Sequence, residues 1–212
     1  SAPANAAFSY GTGDYTYEAW IYPTADGTAT TYRFIMGAGG SGQGDQWLIN
    51  NTGNRTLVYG DGVSSFTTTN QFVLNAWNHV ALSRNSGTLR IFINGVLGAS
   101  GASTASITLG GSQTFYVGNR SGGADSPQQA FVGYMSNVRV LKGVGLYTAN
   151  FTPPTTPLTA ISGTSLLTCQ SNRFVDNSSN NFTISRGGDT SVQAFSPFNP
   201  TAAWSAATNG GS

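Results

Sequence analysis

Three residue types that can do chemistry occur once each in this chain of 212 residues: the glutamate Glu18, the histidine His79 and the cysteine Cys169. Each one limits what the chain can catalyse. A Ser-His-Asp triad would have to use His79, because no second imidazole exists to take the serine proton. No Gly-x-Ser-x-Gly elbow accompanies it. Glycoside hydrolysis needs two carboxyl groups flanking the scissile bond. Glu18 is followed by Ala19-Trp20-Ile21, with no carboxylate at i+2 or i+4. A second acid such as Asp45 or Asp61 would have to converge on it in space. Cys169, in "SLLTCQSN", permits no internal disulfide and reads as a small, half-buried strand residue. The fold therefore does not depend on an oxidising compartment.

Two further patterns invite a ligand. "GAGGSG" at 37–42 matches Gly-x-Gly-x-x-Gly, but the dinucleotide fingerprint needs a helix after the glycines, and "DQWLIN" reads as a strand. The run is read as a glycine-rich loop at the rim of the fold. Calcium needs six to eight oxygens, often with two or more carboxylates. The acidic residues, among them Asp26, Asp45, Asp61, Asp125, Asp176 and Asp189, stand apart in turns, so no metal ligands are assigned. In "DNSSNN", Asp176 and Asn177 are expected to form an Asx-type turn.

The elements that must hold these residues are strands. Gly, Ser, Thr and Asn are abundant, while Lys, Glu and Gln are scarce, which favours strands and tight turns over helices. The content of 39% hydrophobic and 12% aromatic residues is enough for a packed core even though only 8% are charged. The net charge is +1, and the arginines are scattered without a basic stripe, which argues against nucleic acid. No apolar run approaches membrane-spanning length.

Alternation marks the strands. "DYTYEAWIYP" places Tyr15, Tyr17, Ala19 and Ile21 on one face and Thr16, Glu18, Trp20 and Tyr22 on the other. "TYRFIMG", "DQWLIN" and "RTLVYGDG" follow. "WNHVALSRNSGTLRIFINGVLGAS" reads as strand, turn, strand, turn, strand, with Asn94-Gly95 as a type I′ hairpin signal. "TFYVGN", "FVGYMSNVRVLKG", "TSLLTCQSN", "RFVDNSSNNFTIS" and "TSVQAFSPF" complete the set, and "GVGLYTANFTPP" could hold one helical turn before Pro153-Pro154. One all-β domain is expected: an antiparallel two-sheet jelly-roll sandwich over residues 1–195, with its core at 8–160, closing strands at 164–195 and a tail at 196–212.

Three of these pieces together resemble the laminin-G-like, concanavalin A-like (lectin/glucanase) superfamily: "YTYEAWIYPT", "WNHVALSRNSGTLRIFINGVL" and "FVGYMSNVRVLKGVGLY". The run "GLYTANFTPPTTPLTAISGTSLLTCQSNRFVDNSSNNFTI" resembles domains of fibre and appendage proteins of marine tailed phages. The resemblance implies that the Trp-x-His-Val element around His79 is architectural. It implies a non-enzymatic structural and adhesive module of a virion, found on an extracellular particle, that self-associates or meets other virion proteins and binds host surface glycans. A secreted or cell-surface bacterial carbohydrate-binding module is the alternative. A glycoside hydrolase is the third reading, although the Glu-x-Asp-x-x-Glu strand of hydrolases with this fold is missing. No cofactor is expected, calcium being the one metal that relatives leave open. Asn-x-Ser/Thr sequons at Asn50, Asn150 and Asn181 are read as chance. Trp47, Tyr59, Asn119 and Arg120 are the candidate rim residues for sugar, and Phe198 and Trp204 the candidate assembly contacts. "SAPANAAF" reads as the start of a domain cut in a permuted frame, with 164–195 folding back on its own sandwich and 196–212 touching a neighbour.

Overall fold

The computed structural model describes residues 1–28, 31–38, 45–108, 113–119 and 129–199. They form a two-sheet antiparallel β-sandwich, as the alternation predicts. The larger sheet has the order β11-β10-β1-β6-β7-β8. Its members are β1 (Tyr15–Pro23), β6 (Asn78–Asn85), β7 (Thr88–Ile93), β8 (Val96–Ala102), β10 (Gly133–Lys142) and β11 (Thr164–Thr168). The smaller sheet has the order β5-β4-β3-β2-β9, built from β2 (Arg33–Gly37), β3 (Gln46–Ile49), β4 (Leu57–Gly60), β5 (Ser65–Thr67) and β9 (Tyr116–Val117). Ala6–Phe8 make a single 3-10 turn, capped by the Asn5 side chain. Among the described residues no helix is long and apolar enough to cross a membrane.

One face of each strand meets the other sheet. Tyr15, Tyr17, Ala19 and Ile21 of β1, Val80 and Leu82 of β6, and Leu89, Ile91 and Ile93 of β7 join Ile35, Met36, Trp47, Ile49, Leu57 and Tyr59 in one core. The outer face of the six-stranded sheet is buried as well, which alternation does not announce. Residues 143–160 run across it as a strap without regular structure, so the helical turn expected there is absent. Strap contacts include Thr16 Oγ1 donating to the Val144 carbonyl at 2.7 Å, the Leu146 amide donating to Thr16 Oγ1 at 2.9 Å, and the Tyr147 amide donating to Ser83 Oγ at 3.1 Å. The Tyr147 and Phe151 rings stack at 3.8 Å, and Phe151 lies against His79 and Phe92. Pro153-Pro154 and the side-chain bonds together explain why the strap stays extended.

The Asn94-Gly95 turn fixes the β7–β8 hairpin, with φ of 51° and 77° at its central residues. Gly95 also holds the strap: Phe151 donates its amide to the Gly95 carbonyl at 2.9 Å, and a Cβ at Gly95 would collide with the Phe151 carbonyl. Gly87 has a similar φ of 75°, but a Cβ there meets open space. Gly87→Ala is therefore expected to cost about 1 kcal/mol, the left-handed backbone penalty alone. Gly95→Ala should cost at least about 2 kcal/mol more, because the strap must also shift. Urea denaturation of the two variants checks this. Equal losses would show that the turn and the strap are uncoupled.

Candidate functional site

Among the described residues, two buried groups of polar side chains hold Glu18 with His79 and Asp45 with its tyrosines, and both are closed. The first is under the strap. Glu18 of β1 and His79 of β6, set diagonally across the strand pair, have 0% exposed side chains. The His79 Nε2 lies 3.3 Å from Glu18 Oε2, and Tyr147 donates its hydroxyl to the same oxygen at 2.8 Å. Arg139 of β10 brings Nε and Nη2 to Glu18 Oε1 at 2.7 and 2.6 Å. It donates Nη1 to the Thr159 carbonyl at 2.7 Å. Burial alone would raise the Glu18 pKa. The hydrogen bond with His79 and the Arg139 charge outweigh it and hold the carboxyl below its ordinary range. The arrangement pins the strap to the sheet through an ion pair sealed from solvent. It offers a substrate no approach to His79.

The second group sits between the sheets. Asp45, just ahead of β3 and at φ 78°, is completely buried. Its Oδ1 accepts hydrogen bonds from the Tyr17 and Tyr59 hydroxyls at 2.5 and 3.0 Å, and its Oδ2 accepts from the Ala38 amide at 3.0 Å. The Tyr15 and Tyr59 hydroxyls are 2.9 Å apart. Burial pushes the Asp45 carboxyl up to about 6, against the three hydrogen bonds, which favour its charged form. The phenols of Tyr17 and Tyr59 are pushed well up by burial and stay protonated donors. Asp61, also buried, closes its own turn through the Val63 and Ser64 amides and accepts from Ser103 Oγ at 2.7 Å. Glu18 lies on the opposite face of the six-stranded sheet from Asp45, and all three carboxylates are taken up by internal donors.

Among the described residues, the outer face of the five-stranded sheet is partly open. The registers align two rows of residues across the strands. Phe34, Leu48, Val58 and Thr67 form the first row, one residue each from β2 to β5. Tyr116, Gly37, Gln46, Gly60 and Ser65 form the second, from β9 to β5. Phe34, Leu48 and Val58 form a second, buried apolar cluster, with the partly exposed Tyr32 and Tyr116 packed against it. At Gly60 a Cβ would touch nothing within 4 Å, so the second row is a trough with a gap in its middle. Five strands at the usual spacing make that row about 19 Å long. Its polar groups are the Gln46 amide, the Ser65 hydroxyl and the Tyr116 phenol.

The sequence-based sugar candidates fall elsewhere. Trp47 and Tyr59 were expected at the rim; both are buried at 0% exposure and pair with each other across β3 and β4 on the core side. Each is one residue from the trough, and a step of one residue reverses the face. Asn119 is exposed just after β9. Arg120, most of the "GAGGSG" run (39–42) and Trp204 lie outside the described residues. Phe198 rests edge-on against Trp20 of its own chain, ring centres 5.9 Å apart. Sequence reasoning missed Gln46, Gly60 and Tyr116. For Gln46 and Gly60 the signal was the alternation itself, which sets Trp47 and Ile49 against Gln46, Leu48 and Asn50, and Leu57 and Tyr59 against Val58 and Gly60. Among the described residues no group of three or more His, Cys, Asp or Glu is arranged to hold a metal ion.

A profile of the Laminin_G_3 family, described as the concanavalin A-like lectin/glucanases superfamily, matches residues 1–144. No match is found among curated proteins. Solved structures share the fold. A candidate carbohydrate-binding protein from Bacteroides ovatus is 23% identical with a TM-score of 0.61, the match covering 82% of this chain and 52% of that one. Domain 4 of AbnA, an extracellular arabinanase from Geobacillus stearothermophilus solved with arabinotriose, is 21% identical with a TM-score of 0.48, covering 65% of this chain and 64% of that one. A heptameric SAP-like pentraxin from Limulus polyphemus is 16% identical with a TM-score of 0.46, covering 62% and 65%. This chain thus matches between about half and two thirds of the length of each.

Proposed function

The chain belongs to the Laminin_G_3 family of the concanavalin A-like lectin/glucanases superfamily, and from that premise we propose that it is a non-catalytic glycan-binding module, a structural and adhesive part of a phage virion such as a fibre or appendage subunit. The trough on the five-stranded sheet carries the binding half of this reading. It sets the partly exposed Tyr116 and Gln46 and the exposed Ser65 and Thr67 hydroxyls around the open space at Gly60, over a buried apolar layer and along a length suited to a short run of sugars. Its described outward side chains are uncharged, which favours a neutral glycan over an acidic one. The non-catalytic half is supported by the carboxylates, since Glu18, Asp45 and Asp61 are each buried and each occupied by internal donors. The virion setting is supported by the resemblance of residues 145–184 to phage fibre and appendage domains. The carbohydrate-binding description of the Bacteroides ovatus protein agrees with the reading by analogy of fold.

The test is Gly60→Val. The position lies in β4 with open space where a side chain would go, so the variant should fold at least as stably as the parent. Its isopropyl group would stand in the trough. Affinity electrophoresis against a panel of neutral polysaccharides should show binding by the parent chain and at least a roughly tenfold loss in the variant, about 1.4 kcal/mol. Equal binding by both would move the site off this face. Absence of any binding would end the glycan reading, and release of reducing ends would make the chain a hydrolase.

A further inference from the structure

The C-terminal arm carries a separate inference, independent of the glycan reading. At one end of the six-stranded sheet, Tyr22, Trp77 and Tyr134 form an aromatic cup on the outer face. Tyr22 faces Tyr134 across β1 and β10, and its ring lies edge-on to Trp77 at 5.6 Å. Phe195 plugs the cup, with ring centres 4.9, 5.2 and 5.0 Å from Tyr22, Trp77 and Tyr134. Phe198 covers Trp20 beside it.

Three observations set this contact apart from the rest of the fold. Ser185 and Ser1 exchange backbone hydrogen bonds, tying that point of the chain to the sandwich. From Arg186 to Asn199, the hydrogen bonds among the described residues are all internal to the segment. Two aromatic side chains are therefore what seat the arm. The indole N–H groups of Trp20 and Trp77 are buried and have no acceptor, so the cup is imperfectly filled by its own arm. Finally, residues 190–199 carry no charge, and residues 186–194 can reach roughly 30 Å when extended. Apart from the Phe195 and Phe198 rings, nothing described in residues 190–199 holds the arm to its own cup, and no charge there repels a second one.

We propose that the cup is an assembly socket: the arm of a second copy of this chain, Phe195 and Phe198 foremost, seats in it in place of the chain's own. An arm arriving from another copy is free of the constraint imposed by Ser185 and can lay its backbone carbonyls on the two indole N–H groups. Two copies that trade arms close a two-fold dimer, because every copy offers the same arm and the same cup.

Light scattering on the full chain should show a dimer or larger species at micromolar concentration. Phe195→Asp/Phe198→Asp should weaken that association roughly thirtyfold or more, the effect of losing hot-spot aromatics. Its melting temperature should stay near that of the parent, since neither residue belongs to a sheet. A second measurement does not depend on those variants. Chains carrying Tyr134→Cys and chains carrying Phe195→Cys, both with Cys169→Ser, are mixed and oxidised. A disulfide joining one chain of each kind supports the exchange. The proposal is overturned by a full chain that is monomeric throughout, by a double variant that assembles like the parent, or by mixed chains that never cross-link while a single chain carrying both cysteines closes on itself.

Discussion

Replacing Glu18 by Gln is expected to cost the fold roughly 3–5 kcal/mol, the effect of breaking a buried ion pair by removing one partner. The side chain is fully buried and receives Arg139, Tyr147 and His79 at once. Without its charge the Arg139 guanidinium, 7% exposed, is left in the interior with only the Thr159 carbonyl and a neutral amide. That loss is a large part of the 5–15 kcal/mol that holds an ordinary domain. For a chain of this size it should lower the melting temperature by roughly 6–20 °C. Removing both charges, as Glu18→Leu/Arg139→Met, should recover most of the loss, because the desolvation of two ions disappears with their attraction. The strap reports the same event. Hydrogen exchange at the Tyr147 and Phe151 amides should speed up in the single variant more than at β6 or β7 amides. A single variant within about 1 kcal/mol of the parent would mean that the strap is held by its stacked rings and backbone bonds alone.

The second large effect is on the pH dependence of stability, and it comes from Asp45. Its folded carboxyl titrates near 6, above the ordinary 3.8, because burial outweighs the donors around it. A raised pKa in an acid means that the folded state holds its proton more tightly than the unfolded chain does. The contribution is therefore fully present below the unfolded value, and it is lost as pH rises through the folded one. Two pH units of separation correspond to about 3 kcal/mol lost between about pH 4 and pH 6. Glu18, with its pKa lowered, works in the opposite direction: its contribution is present above its unfolded value and is lost as pH falls through its folded value. The parent chain should therefore be most stable in the mildly acidic range. Asp45→Asn keeps an oxygen for Tyr17 and Tyr59 but cannot titrate. Whatever that substitution costs at one pH, it should flatten the decline between pH 4 and pH 6, with Glu18 common to both proteins. If parent and variant lose stability in parallel over that interval in urea titrations, the carboxyl is not the group responsible.

Strands, hairpins and one fold class follow from the alternation of apolar residues and from turn chemistry, which act over a few residues and need no knowledge of the rest of the chain. The β1 faces, the Asn94-Gly95 turn and the Asx turn at Asp176, whose Oδ1 accepts the Ser178 amide at 2.9 Å, are legible for that reason. The closing of His79 into the scaffold was implied by the resemblance of the Trp-x-His-Val element, and the structure buries it beside Glu18. Which face of a strand turns inward is a different matter. In "DQWLIN" and "TLVYGD" both faces carry apolar residues, and the large rings of Trp47 and Tyr59 go to the side with the deeper space. That space is created by Tyr15, Tyr17 and Phe115, far away in sequence. The trough of Gln46, Gly60 and Tyr116 is what remains on the other side. The burial of Glu18, Arg139 and His79 beneath residues 143–160, the isolation of Asp45 among tyrosines, and the seating of Phe195 on three rings likewise join positions tens to more than a hundred residues apart. Sequence alone determined the strands and their turns. The tertiary structure decided which surfaces met and therefore which were left open to bind, because burial depends on what packs above a residue, and for these residues that partner is not a neighbour along the chain.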